Sequence, residues 1–433
     1  MKRSHSWLWF TLVLALSAFV VLRAARKGEG RGSDKTHGAL ERNYEFAQRV
    51  LEGSDPYREP QLHAPYPPSY GLIMAPLRLL PLRAARVAWA VLQLLCLGAL
   101  VLLLRRWHST LPGDSGATLS RAPPAWVTVL ALVLVARFLS RDTSGGGGNL
   151  VWGTLVFVAV LRPLEAPGTD ERPWLGTWLG IVLAAKPTPV LFLPWLILLG
   201  RYKTLAVALG VAAALHAAPL LTLGLEGYEN AYRTWLSGVV AYAQQDDVFA
   251  APSHGFPPFS WMHQSLRFAL GRFLGSVPQE HVLESPLFFQ GLGMDVAHIA
   301  LLRRVLEATI AVLALAALWR VRRARSPWVA IHAIGLLASA TLLLSPIVWK
   351  SYHLWQLPFF YGLLAGLRDE GLTQGQRREV IVGLSLYFAL CGLASEALLG
   401  DNGRDVMQSF YVVTAGAVWT YTLALRRLIA HRA

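Results

Sequence analysis

The chain alternates apolar runs with short polar connections. Runs rich in Leu, Val, Ala and Trp fall near residues 7–23, 86–104, 125–138, 149–161, 174–185, 188–200, 204–223, 305–319, 328–347, 354–367, 379–399 and 406–425. A helix of about 20 apolar residues crosses a hydrocarbon layer of about 30 Å. The pattern therefore predicts an all-α, polytopic integral membrane protein with about 12 transmembrane helices, residues 1–433 forming a single domain. The runs near 174–200 are short and predict a kinked or partly re-entrant pair. A small-residue cleavage site is poorly formed before the basic stretch Arg23 to Lys27, so the first run reads as an uncleaved anchor.

Charge then orients the chain. It carries 40 Lys and Arg against 26 Asp and Glu, but the excess collects in short loops between apolar runs and does not point to nucleic acid. With a cytoplasmic N-terminus, Arg105-Arg106, Arg162 and Arg172, Arg201 and Lys203, Arg320 to Arg325, Arg368 to Arg378, and Arg426 to Arg432 all face the cytoplasm. That is the positive-inside arrangement; the basic stretch Arg23 to Lys35 runs against it. The outer face then receives a first loop, 24–85, a Gly-rich turn before Asn149, Lys186, a large loop, 224–304, and the segment Trp349 to His353.

That last segment is the most informative. An apolar run stops at Pro346, and an indole, an ammonium, two hydroxyls and an imidazole follow before apolar sequence resumes. Polar groups at a membrane boundary are costly unless something satisfies them. A plain turn would need only Gly, Asn and Ser, so Trp349, Lys350 and His353 mark a candidate site. By contrast, His216 and His332 inside apolar runs read as packing residues. Cys96 and Cys391 also lie in apolar runs, which argues against metal ligation or a disulfide.

The first outer loop adds a second cluster. An amphipathic helix opening near Tyr44 ends at Gly53, Asp55-Pro56 sets a turn, and Leu72 to Leu82 reads as an interfacial helix interrupted by Pro76 and Pro81. Ala47-x3-Leu51-x-Gly53-x-Asp55-Pro-Tyr57, then Tyr66-Pro-Pro-Ser69 and Ala75-Pro-Leu77, resemble the first extracytoplasmic loop of glycosyltransferase family 87. Gly148-Asn149-Leu150 resembles the family's Gly-Gln-x-Asn turn without its Gln. Lys186-Pro187-Thr188-Pro189 resembles Lys-x-x-Pro, His263-Gln264-Ser265-Leu266 resembles Asn-Gln-Ser-Leu, and Ser345-Pro346-x-x-Trp349 with His353 resembles Ser-Pro-x-x-Trp and its downstream His.

The resemblance, over about residues 30 to 365, implies a GT-C-like membrane glycosyltransferase at the outer face of a bacterial cytoplasmic (inner) membrane. Its donor would be a polyprenyl-phosphate sugar, mannose in the best-known members, and its acceptor a glycolipid or glycan hydroxyl. The family's catalytic carboxylate stands a few residues before the position of Tyr44, where this chain has Ala39 and Leu40. Asp34, in a polar Ser-Asp-Lys-Thr-His run, is the preferred base here, with Glu41 the alternative. Lys186, Lys350 and His353 are expected to meet the leaving phosphate. Trp349, Asn149, His263, Gln264, Tyr57 and Tyr66 are expected to bind substrate. Asp246-Asp247 is not a metal-binding Asp-x-Asp pair, and neither cofactor nor metal is expected. The alternative reading is a lipid-linked sugar flippase or other transporter.

Overall fold

The computed structural model describes residues 38–58, 65–110, 123–161, 171–252, 256, 258–282, 290–324, 326–368 and 372–431. The predicted anchor at 7–23 and the candidate base Asp34 lie outside them. Regular secondary structure among the described residues is helical, and one isolated bridge joins His263 to Trp349. The later apolar runs all fall on helices, which include Leu82–Thr110, Ala125–Gly145, Asn149–Leu161, Val296–Val321, Pro327–Leu344 and Val412–Ala430.

Several of these helices are shorter than a crossing requires. Among the described residues, one helix, Leu82–His108, is long and apolar enough to span alone. Tyr202–Ala217 and Leu220–Gln244 meet that standard together, bent by 83°. The predicted pair near 174–200 is a helix Gly176–Ala185, an extended Lys186, a 3-10 turn Thr188–Leu191 and a helix Phe192–Leu198. Pro187 and Pro189 supply no backbone N–H, so the helix cannot run through. The predicted large loop 224–304 is more ordered than its composition suggests: helix Leu220–Gln244 runs into it past a kink at Gly224, φ 67°, and helix Leu266–Leu274 follows, its start capped by Ser265.

Close backbone approach sets much of the packing. A Cβ on Gly176 would lie 2.1 Å from the Thr204 carbonyl oxygen, and one on Gly180 would lie 2.6 Å from that of Ala208. These two glycines, four residues apart, let helices Gly176–Ala185 and Tyr202–Ala217 touch along their backbones, as small residues do between membrane helices. At the centre, Phe157, Phe192 and Trp355 meet edge to face, with centroids 6.3 to 6.4 Å apart. Gly153 admits the Trp355 indole, which a side chain there would exclude.

Candidate active site

Helix Ala125–Gly145 stops because Gly146 adopts φ 66°, a left-handed conformation that favours glycine. The Gly147 N–H then donates to the Asp142 carbonyl at 2.8 Å. Bare glycine backbone lets the chain double back until the Asp142 carboxylate caps the next helix. Its oxygens accept from the Leu150 N–H at 3.0 Å, the Asn149 N–H at 3.3 Å and the Asn149 side-chain amide at 3.0 Å. A carboxylate at a helix N-terminus satisfies open N–H groups and meets the favourable end of the helix dipole.

Asn149 passes this order onward. Its amide also donates to Ser351 Oγ at 2.9 Å, and its Oδ1 accepts from Lys186 Nζ at 2.9 Å. Its backbone carbonyl accepts from the Trp355 indole at 3.0 Å. The Lys186 ammonium lies 3.2 Å from the centroid of the Tyr352 ring, a cation–π contact. Burial, opposed by the Asp142 charge, lowers Lys186 from its ordinary value to about 7. The Gly-rich turn, the Lys186-Pro187 break and the 3-10 turn Lys350–Gln356 thus meet at one end of the helices.

The segments around Tyr57 and Tyr66 join them. Tyr57 donates to the Tyr66 carbonyl at 2.6 Å, Tyr66 stacks on Tyr70 at 4.2 Å, and Tyr70 meets Trp152 edge-on. Ser69 donates to the Ala184 carbonyl at 2.6 Å, two residues before Lys186. Glu41 pairs with Arg86 at 2.8 Å through Oε1. Its other oxygen is buried without a hydrogen-bond partner among the described residues. Leu40 packs on the Gly146 turn, and Trp89 and Gln93 both donate to the Gly147 carbonyl. Glu41 therefore stands on the flank of the turn that carries Asp142.

On the far side of Ser351, Lys350 Nζ donates to Gln408 Oε1 at 2.7 Å. Burial, reinforced by Arg137, Arg141 and Arg404, lowers Lys350 to about 7. His263 and Gln264 clamp the Ser-Pro-x-x-Trp segment. The His263 ring lies 4.1 Å from that of Trp349, and the Gln264 N–H donates to the Val348 carbonyl at 2.8 Å.

His353 departs from this group. It is fully buried, its Nδ1 3.1 Å from the Tyr387 hydroxyl and its ring 5.0 Å from Phe138. Burial, with Arg137 nearby, lowers it to about 3, so the imidazole is neutral and packs against aromatic rings.

The site thus assembles Asn149, Lys186, Lys350, Tyr57, Tyr66, Trp349, His263 and Gln264, with Glu41 on its flank. Sequence reading missed Asp142 and Gln408, and it counted Ser351 and Tyr352 only as the two hydroxyls of their segment. A carboxylate just before a glycine run and a helix start was a signal for Asp142; nothing local marked Gln408.

Comparison with known proteins identifies the family. The family model for glycosyltransferase family 87 matches residues 64–346. A Mycobacterium tuberculosis protein, described as a polyprenol-phosphate-mannose-dependent alpha-(1-2)-phosphatidylinositol mannoside mannosyltransferase, is 27% identical over 371 residues, which cover 83% of this chain and 72% of that one. ArnT from Cupriavidus metallidurans, solved bound to undecaprenyl phosphate, aligns over 96% of this chain and 76% of its own at 18% identity. The TM-score of 0.33 makes that likeness too loose to assign a fold. The family match spans well over half of the chain: this protein belongs to glycosyltransferase family 87 and is a glycosyltransferase.

Proposed function

We propose that the protein transfers a hexose, mannose by similarity to the mycobacterial relative, from a polyprenyl-phosphate donor to a hydroxyl of a glycolipid or glycan. In this reading residues 1–433 form one membrane domain, and segments 24–85 and 224–304 lie on the outer side of a bacterial cytoplasmic membrane. The observation that carries it is the pair of buried ammoniums, Lys186, joined through Asn149 to Ser351 of the Lys350–Gln356 turn, and Lys350 at the start of that turn. Buried cations held by neutral acceptors, Asn149 Oδ1 and Gln408 Oε1, keep charge available for an anionic ligand. Protein carboxylates bonded to them would consume it.

Transfer with inversion needs a base on the acceptor hydroxyl and donors on the phosphate oxygen as the glycosidic bond breaks. Asp34 is the proposed base, with Glu41 the alternative. Lys186 and Lys350 take the leaving phosphate. Tyr66 stands where the first outer segment meets the site, suited to line the sugar's path.

Membranes containing the protein should transfer label from polyprenyl-phosphate mannose and not from GDP-mannose. Lys186→Ala should lower turnover about 100-fold, the scale of losing one donor to a developing anion. Transfer from GDP-mannose alone, or normal turnover in Lys186→Ala at equal abundance, would overturn the proposal.

A further inference from the structure

Asp142 lies outside every motif that resembles the family, yet it is 1% exposed and accepts three hydrogen bonds at the start of helix Asn149–Leu161. Its carboxylate receives the Asn149 side-chain NH2 and thereby decides which way that amide points. With both amide hydrogens spent on Asp142 and Ser351, Oδ1 must face Lys186. Gly147 protects the arrangement, because a Cβ there would lie 2.2 Å from Asp142 Oδ1.

We infer that Asp142 is a positioning residue for transfer: it locks the Asn149 amide so that its carbonyl holds the Lys186 ammonium toward the donor phosphate. This rests on the assignment of Lys186 to the phosphate. Asp142 acts through two atoms of Asn149 and does not touch substrate. Its charge works in the same direction, opposing the effect of burial on Lys186.

The other groups around Lys186 are neutral or more remote. Tyr352 lies beneath the ammonium from the 3-10 turn. Tyr66 and Tyr70 stand on the first outer segment, with Arg42 of helix Ala39–Leu51 close enough to act on Tyr66. His216 of helix Tyr202–Ala217 bonds to Ser69, whose hydroxyl also holds the Ala184 carbonyl. Among these, Asp142 is the carboxylate.

The test uses the full chain in lipid nanodiscs and two readouts. One is the pH midpoint for acylation of Lys186, followed by mass spectrometry. The other is the alkaline limb of turnover with polyprenyl-phosphate mannose. Asp142→Asn should move both midpoints to lower pH by about one unit, as expected for losing a nearby opposite charge, and activity should recover on acidification. The exchange Asp142→Asn with Asn149→Asp returns a carboxylate to the site and should restore both midpoints or carry them above the native values. Asn149→Asp alone, which keeps Asp142, should raise them and serves if Asp142→Asn does not fold.

An unmoved acylation midpoint with turnover lost at every pH would make Asp142 a helix cap only and overturn the inference. A moved acylation midpoint with an unmoved turnover profile would overturn it differently. That result would remove Lys186 from the reaction and leave the phosphate to Lys350.

Discussion

Lys350 donates to Gln408 at 2.7 Å across 58 positions of sequence, and this contact fixes the Ser-Pro-x-x-Trp segment to helix Glu396–Ser409. Gln408 is a junction. Its backbone carbonyl accepts from Gln264 Nε2 at 3.1 Å, and its amide donates to Arg404 O and Asp405 Oδ1. Gln408→Ala leaves a buried ammonium without its acceptor, a loss of about 2–3 kcal/mol for a hydrogen bond to a charged group. The expected result is a lower Tm in detergent and slower turnover; Gln408→Glu should restore the Tm but not turnover, because a carboxylate there neutralises the ammonium. An unchanged Tm in the alanine variant would mean that Lys350 finds another acceptor at no cost.

The sequence conveyed the parts of this site unevenly, for physical reasons. Helix positions were legible because apolar runs must be long to matter in a bilayer, and the described runs all became helices. Asn149, Lys186 and Lys350 were legible because ionisable or amide groups beside apolar runs are costly and therefore conspicuous. Asp142 went unread, since its value depends on a glycine turn folding it onto the next helix. Gln408 was silent because its partner is 58 residues away. His353 was placed correctly along the chain, but spacing could not tell that its ring turns inward to Phe138 and Tyr387.

Lys350 gives a pH prediction with a definite sign. Its ammonium is protonated below about 7 and is lost as pH rises through that value. Arg141 disfavours the charged form, so Arg141→Gln should raise the midpoint and extend activity to higher pH. Arg141 is exposed, and solvent screening limits the effect to roughly 0.3–0.5 pH unit at low salt. A shift to lower pH in this variant would show that Lys350 does not set the alkaline limb.

The base can be assigned by comparing two carboxylates. Asp34→Asn should abolish transfer at normal abundance, because an amide cannot take the hydroxyl proton. Glu41→Gln should act mainly on stability, since it removes the charge from the carboxylate that Arg86 holds at 2.8 Å, a loss of about 1.5–3 kcal/mol for a hydrogen bond to a charged group. Lost turnover with an unchanged Tm in Glu41→Gln, and retained turnover in Asp34→Asn, would transfer the role to Glu41.

For His353 the structure predicts a packing phenotype. His353→Ala removes a fully buried ring between Phe138 and Tyr387 and should destabilise by about 2–4 kcal/mol, in the range of large-to-small core changes. Turnover per folded molecule should fall less than tenfold, and His353→Gln should recover most of the Tm. A hundredfold loss of turnover at native Tm would instead place the imidazole on the phosphate.

The orientation of the whole site rests on loop charge, and cysteine labelling tests it directly. Native Cys96 and Cys391 are both buried, so background reaction with a membrane-impermeant maleimide should be low. Ser69 is fully buried and bonded to Ala184, which makes it a poor probe. Ser54 and Glu280 are exposed in the two segments that loop charge assigns to the outer side, and Gln374 is exposed in a basic connection that it assigns to the other. With the positive-inside arrangement, Cys at 54 and at 280 should label in intact cells, and Cys at 374 only after permeabilisation. Labelling of 374 alone from outside would invert the protein. Lys186 and Lys350 would then open to the cytoplasm, and the lipid-linked donor would have to be used on that face. Labelling of 54 without 280 would break the site apart, because the Tyr66 segment and the Gln264 segment reach the Lys350–Gln356 turn region from these two outer loops and must share one side.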